Sequence, residues 1–174
     1  ERFVWICMHC GSEDTLQTGG NIINCVSCGK SWEIDAHCRL KGVREDTNSL
    51  HDLKDWADMH RERVKEKTSS GSGILAITEN VTLQNENDER TFVNSDTGKA
   101  VLTSDTLSLE TASGTVSWPV SEIEDCVVQK KDLFEFRHKD KYVRFLLNKK
   151  SPMKWVYYLR YLKNYEEFEK RGYL

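Results

Sequence analysis

Two C-x-x-C pairs, Cys7/Cys10 and Cys25/Cys28, carry the clearest chemistry in this chain. Each pair presents two thiolates on a tight turn whose amides face the sulfurs. The 14 residues between Cys10 and Cys25 suit a hairpin that brings the second turn opposite the first. Four thiolates so placed make one tetrahedral site for zinc, with iron as the competing S4 ion and disulfides or a redox pair as the non-metal readings. Gly11 and Gly29 follow the two pairs and supply the positive φ that such turns need on exit. Four sulfurs close the coordination sphere, so the metal is expected to be structural rather than catalytic. A unit of about 35 residues cannot bury enough surface to fold alone, so metal binding and folding are one event. Cys38 and Cys126 fall outside the pattern and read as idle or buried thiols. His9 and His37 flank the site, with His37 the candidate for a supporting hydrogen bond.

The elements that position these residues follow from the patterning. Residues 1–40 alternate short apolar stretches with turns, the pattern of a three-stranded zinc ribbon. Residues 41–73 form a connecting segment with a helix from about 49 to 67. There Leu50, Leu53, Trp56, His60 and Val64 recur at three- and four-residue steps, and Asn48 or Ser49 can cap the start. His51-Asp52 and the run His60-Arg61-Glu62-Arg63 read as the helix's polar face. Ser69-Ser70-Gly71-Ser72-Gly73 marks the boundary.

Residues 74–174 read as a β domain. Candidate strands cover 74–83, 90–94, 100–103, 106–110, 115–118, 126–130, 133–137 and 142–147, several with period-two alternation. Ser95-Asp96-Thr97-Gly98 and Ala112-Ser113-Gly114 read as turns. A final helix opens with Ser151 as N-cap and Pro152 at the first helical position, and Gly172 lies beyond its end. Trp155, Leu159 and Leu162 form its apolar stripe, widened by Tyr158 and Tyr165, with Tyr157, Tyr161 and Phe168 beside it. The expected fold is mainly β with two helices. It consists of a zinc ribbon, a connecting helix, and an antiparallel barrel of pleckstrin-homology (PH) or GRAM type capped by a C-terminal helix.

The net charge of −3 argues against general nucleic-acid binding. Charge is unevenly spread, however. Between Glu79 and Asp125 there are ten acidic and two basic residues, and from Lys130 to Lys150 eight basic and three acidic. Lys130, Lys131, Arg137, Lys139, Lys141 and Arg144 could face anionic lipid headgroups or a partner. The plainer reading is a solvated hairpin whose charges pair with the acidic half, and it is preferred. No apolar run reaches the ~18–20 residues of a membrane span.

Catalytic motifs are missing from this stretch: there is no Gly-rich phosphate loop, no G-x-S-x-G and no His-Glu-x-x-His. His9 to Asp14 fits H-x4-D, but it overlaps the first cysteine turn, where Cys10 is committed to metal. The chain opens at Glu1 and runs straight into Phe3-Val4-Trp5-Ile6, so it reads as part of a larger protein.

The run Val4-Trp5-Ile6-Cys7-Met8-His9-Cys10-Gly11, then Asn21, then Cys25-Val26-Ser27-Cys28-Gly29-Lys30-Ser31-Trp32, then Asp55-Trp56 and Arg63-Val64, carries a resemblance. Together these residues resemble the zinc-ribbon extension that follows the catalytic domain in some bacterial 1-acylglycerol-3-phosphate acyltransferases. The resemblance covers residues 1 to about 71. It implies a parent enzyme of phospholipid biosynthesis on the cytoplasmic face of a membrane, whose catalytic domain precedes Glu1 and is a partner of this module. No catalytic residue carries over. The expected role is a non-catalytic regulatory, docking or membrane-targeting module. The alternative is a zinc-ribbon adaptor for a protein or nucleic acid. Residues 1–40 disfavour nucleic acid, with only Arg2, Lys30 and Arg39 against five carboxylates.

Overall fold

The computed structural model describes residues 3–44, 47, 50–71 and 73–170, with side chains through Lys163 in the last helix. The chain is mainly β with two helices and two antiparallel sheets. It divides into two units, Glu1–Arg63 and Val64–Leu174.

The first unit holds a four-stranded antiparallel sheet in the order β1 (Leu16–Gly19), β2 (Ile22–Cys25), β3 (Ser31–Ile34), β4 (Leu40–Gly42). The sequence pattern predicts three strands, at Phe3–Ile6, Ile22-Ile23 and Trp32–Ile34. The first holds only an isolated bridge from Ile6 to Glu13, and the structure adds β1 before the other two and β4 after them. The three residues of β4 carry one apolar side chain, too little for a periodic signal. Pairing of Glu33 with Lys41 and of Ile34 with Leu40 holds it in place. Helix α1 (Leu53–Ser69) starts later than its periodicity suggests. Residues 51–53 are tied to the sheet side instead, through Leu40 N–H to His51 O (3.0 Å) and Leu53 N–H to Cys38 O (3.1 Å). Asp52 is the N-cap: its Oδ1 accepts the Asp55 amide at 2.9 Å, and Asp55 Oδ2 accepts the His51 amide at 3.1 Å. Asn48 and Ser49, the expected caps, lie outside the described residues. Ile23, Trp32, Leu40 and Trp56 are buried together with Cys7 and Cys25, and the Trp32 and Trp56 rings meet at 5.3 Å. The division between units falls within α1.

The second unit contains one seven-stranded sheet. Its strands are β5 (Ala76–Glu86), β6 (Phe92–Leu102), β7 (Thr106–Thr111), β8 (Gly114–Pro119), β9 (Ile123–Gln129), β10 (Leu133–His138) and β11 (Lys141–Leu146). They lie in the order β8-β7-β6-β5-β11-β10-β9, so the last hairpin returns to pair with the first strand. The expected break at 95–98 does not occur. Residues 92–102 are one strand, because polar partners across the ladder satisfy its polar middle: Gln84 donates to Asn94 (2.8 Å) and Thr82 meets Thr97 (3.2 Å). Gly98 is needed there, since the Glu110 carbonyl occupies the space of any Cβ. The sheet is open: among the described residues no ladder joins β8 to β9, which a short 3-10 turn (Val120–Glu122) connects.

Helix α2 (Met153–Lys170) packs on β9, β10 and β5. Pro152 stands just before it rather than within it, and its carbonyl accepts the Val156 amide at 3.4 Å. Trp155, Val156, Tyr157, Tyr158 and Leu159 are all buried, so the apolar surface is wider than a single stripe. Trp155 stacks on Phe134 (6.3 Å) beside the Phe134/Phe136/Phe145 cluster, with Trp118 closing the far side at 5.4 Å from Phe136. The side chains of Tyr165 and Phe168, and all of Gly172, fall outside what is described. No helix of the described residues is long and apolar enough to cross a membrane.

Candidate metal centre

Each C-x-x-C pair sits on a turn built by the same backbone bonds. In the first, Gly11 N–H reaches Cys7 O (2.9 Å) and Cys7 N–H reaches Ser12 O (3.0 Å). In the second, Gly29 N–H reaches Cys25 O (2.9 Å) and Cys25 N–H reaches Lys30 O (2.9 Å). Gly11 and Gly29 have φ of +73° and +69°, the left-handed exit a side chain would resist. The β1–β2 hairpin brings the turns face to face, and Val26 N–H to Thr15 O (2.9 Å) locks the second against the segment that follows the first.

The four sulfurs all lie within 4.8 Å of one another. Cys7 Sγ is 3.7 Å from Cys28 Sγ, and Cys10 Sγ is 3.8 Å from Cys25 Sγ. A tetrahedral ZnS4 centre with bonds of about 2.3 Å has S···S edges of about 3.8 Å. Two of the six edges therefore already match such a centre, the other four lie within 4.8 Å, and both short pairs are too far apart for S–S bonds of about 2 Å. All six cysteines are free thiols.

Surrounding donors favour thiolates. Cys7 Sγ accepts the amides of His9 (3.4 Å) and Cys10 (3.5 Å). Thr15 Oγ1 lies 3.3 Å from Cys25 Sγ, and the Ser12 hydroxyl 3.3 Å from Cys10 Sγ. Ser12 also meets Ser27 Oγ at 3.1 Å, joining the two turns. The Ser12 hydroxyl brings the Cys10 thiol down to about 6. Burial opposes ionisation of Cys25, but the Thr15 hydroxyl and the amides of Cys28 and Ser27 outweigh it and hold Cys25 low. Burial pushes Cys7 and Cys28 up. A divalent ion would ease that conflict by coordinating all four sulfurs and offsetting two of their four negative charges.

Ser12 and Thr15 carry no motif that singles them out in the sequence. Their only signal is position, hydroxyl residues just after the first pair. His9 contributes its amide rather than its ring, which is exposed. His37 lies in the Asp35–Arg39 turn, its amide on Asp35 Oδ1 (2.8 Å), and makes no bond to a cysteine sulfur among the described residues. Cys38 is exposed, and Cys126 is half-buried on β9, where burial pushes its thiol up.

His60 follows its place in the apolar periodicity of α1 and not the polar face also read for it: it is fully buried. Its ring packs against Trp5 at 4.1 Å, tilted by 44°, and Trp56 Nε1 donates to Ile6 O (2.8 Å) beside it. A second cluster, His51/Asp52/Asp55, brings its ligand atoms within the same 4.8 Å. The hydrogen bonds of the α1 N-cap account for it.

The basic hairpin is largely spoken for. Arg137 pairs with Glu124 (2.5 Å) and Asp125 (2.8 Å), Lys141 with Asp88 (2.8 Å), and Arg144 with Glu135 (2.5 Å) while covering the Phe92 ring at 3.3 Å. Lys130 and Lys139 stand at turn positions with positive φ and form no ion pair among the described residues. Lys131 begins the β9–β10 connection's far side, next to Asp132.

No protein-family model and no curated protein matches the chain. Among solved structures, the chain is similar to the Dm DCP1 EVH1 domain in complex with the XRN1 DBM peptide. The identity is 10%, over 65% of this chain and 90% of that one, with a TM-score of 0.39. A likeness at that level assigns no function.

Proposed function

We propose that this chain is a non-catalytic, zinc-stapled docking module, its second unit of PH-like architecture. The carrying observation is the pair of crossed S···S distances, 3.7 and 3.8 Å, between turns whose amides and hydroxyls already solvate thiolates. Zinc is favoured over iron because the site is closed and needs no redox change. Bound there, the ion supplies charge compensation and a cross-link, not a reaction. The PH-like reading rests on the strand order, in which two successive antiparallel groups meet through β5 and β11, and on the helix that follows.

Attachment to a 1-acylglycerol-3-phosphate acyltransferase is part of the proposal and rests on the residues of the 1–71 resemblance alone. In that setting the ribbon braces the junction with the catalytic domain at the cytoplasmic membrane face. Any lipid contact by the 130–150 hairpin falls first to Lys130 and Lys139, since Arg137, Lys141 and Arg144 are already paired.

Elemental analysis of protein purified without added metal tests the first part. One zinc per chain, lost in Cys7→Ser, is the expected result; a chain free of metal after reconstitution overturns it. Acylation of 1-acylglycerol-3-phosphate by the complete gene product tests the second, and an inactive, properly folded product overturns it.

A further inference from the structure

The seven-stranded sheet ends in two edges that are treated in opposite ways. Edge strands present unpaired amides and carbonyls, and proteins guard them with charges, bulges or covering elements. The β9 edge has all three. Glu124 and Asp125 lie within it, its pairing with β10 shifts register between Glu135 and Arg137, and α2 covers it. Lys163 Nζ donates to Ile123 O, and Arg160 Nη2 to Cys126 O at 3.4 Å.

The β8 edge has none of these, and its one guard is Pro119 at the last position, which offers no amide. Gly114–Pro119 carries no charge, pairs with β7 over six residues without a register shift, and is exposed at every residue except Trp118. Val116 is 44% exposed. In an antiparallel pair, residues bonded to the neighbour alternate with residues that are not. The two-residue turn Ala112–Ser113 makes Thr111/Gly114 the first bonded pair, so Val116 and Trp118 also bond inward to β7. Thr115 and Ser117 therefore turn their amides and carbonyls outward. Among the described residues neither makes a backbone bond beyond the β7–β8 ladder.

Carboxylates bracket this edge. Asp96 accepts the Ser113 hydroxyl at the turn end, and the exposed Asp105 follows the other end, where its carbonyl accepts the Val120 amide at 2.8 Å. Glu110 stands across from Thr115 but is paired with Lys99 at 2.6 Å, so Asp96 and Asp105 carry the charge of this edge. Two copies pairing β8 to β8 would set these acids against each other, whereas a cationic strand would be attracted. The short edge at β1 (Leu16–Gly19) offers less: four residues ending in Gly19-Gly20.

We infer that β8 is a docking edge for an extended, lysine- or arginine-bearing peptide, which adds as an eighth strand through Thr115 and Ser117 and is selected by Asp96 and Asp105. The edge lies wholly within the second unit, so loss of metal from the ribbon and loss of peptide binding are separate outcomes.

The test uses the full zinc-loaded chain and a capped nonapeptide alternating lysine and valine. Its companions are the same peptide N-methylated at every residue and a version with glutamate for lysine. Amide exchange at Thr115 and Ser117 is expected to slow about tenfold or more with the first peptide, and both companions should bind at least about tenfold more weakly. Ser117→Pro removes only an outward amide and should weaken binding to a similar degree while the melting temperature holds. Equal binding of the N-methylated peptide, with Thr115 and Ser117 exchanging as before, overturns the inference in favour of simple charge adsorption. Equal binding of the glutamate peptide overturns the charge selection. A dimer in sedimentation that Ser117→Pro dissolves overturns it in favour of a second copy. Should Ser117→Pro fail to fold, the exchange measurement on the unaltered chain decides alone.

Discussion

His60 Nε2 lies 3.3 Å from the amide nitrogen and 3.2 Å from the carbonyl oxygen of Ile6, the residue before Cys7. A helix side chain thus holds the segment that delivers Cys7, the first of the candidate ligands. The bond spans 54 positions of sequence, and the ring's other nitrogen, Nδ1, is buried with no hydrogen-bond partner among the described residues. Charging that ring would place an uncompensated cation between Trp5 and Trp56, and burial accordingly depresses its pKa to about 4.

Stability should therefore depend on pH through His60. Its folded pKa of about 4 lies below the ordinary 6.5, so between those values the unfolded chain takes up a proton that the folded chain refuses. Stability from this group is full above about 6.5 and declines as pH falls towards 4, by about 3 kcal/mol in all. Thiolate protonation acts in acid as well, so the quantity to measure is the difference in pH slope between the unaltered chain and His60→Gln in denaturant titrations. Identical slopes would refute the assignment.

Chelation should unfold the ribbon selectively. The Cys7 and Cys25 sulfurs belong to the same buried group as Trp32 and Trp56, so removing the ion leaves like-charged or protonated sulfurs inside that core. Near-ultraviolet circular dichroism from these tryptophans should collapse with a strong chelator. Amides of the β5–β11 sheet should keep their exchange protection. Loss of both together would show one cooperative unit instead.

Thr15→Val is isosteric and removes the hydroxyl that lies 3.3 Å from Cys25 Sγ and also donates to Ser12 O at 3.3 Å. Outer donors of this kind typically contribute about 10- to 100-fold in metal affinity. Competition against a colorimetric zinc chelator should show a loss of about tenfold, with the cobalt-substituted spectrum still tetrahedral. An unchanged affinity would make Thr15 a bystander.

Gly98→Ala tests the second unit. The added methyl would meet the Glu110 carbonyl, a backbone atom that cannot swing aside, so β6 and β7 must separate locally. Overpacking of this kind costs about 1–3 kcal/mol. Thermal unfolding should register it, whereas metal content should stay the same.

Much of the metal centre is legible in the amino-acid sequence because its information is local. Four cysteines, two following glycines and a hairpin-length spacing lie within 23 residues, from Cys7 to Gly29. Strand alternation on β7, β10 and β11 is equally local, and those elements lie within a residue or two of expectation. Where polar residues interrupt the alternation, as in β6, sequence reasoning sees a turn; the ladder shows partners on β5 that keep the strand intact.

Sequence by itself determined the thiolate cluster, the largely β character and the position of both helices. Each depends on residues a few positions apart, whose geometry the backbone dictates. Tertiary structure alone decided that His60 holds Ile6, that Asp52 caps α1, which carboxylates Arg137, Lys141 and Arg144 pair with, and that one sheet edge is guarded while the other is largely open. Those properties belong to contacts between distant segments: a side chain's burial or charge partner is set by whatever the fold brings against it.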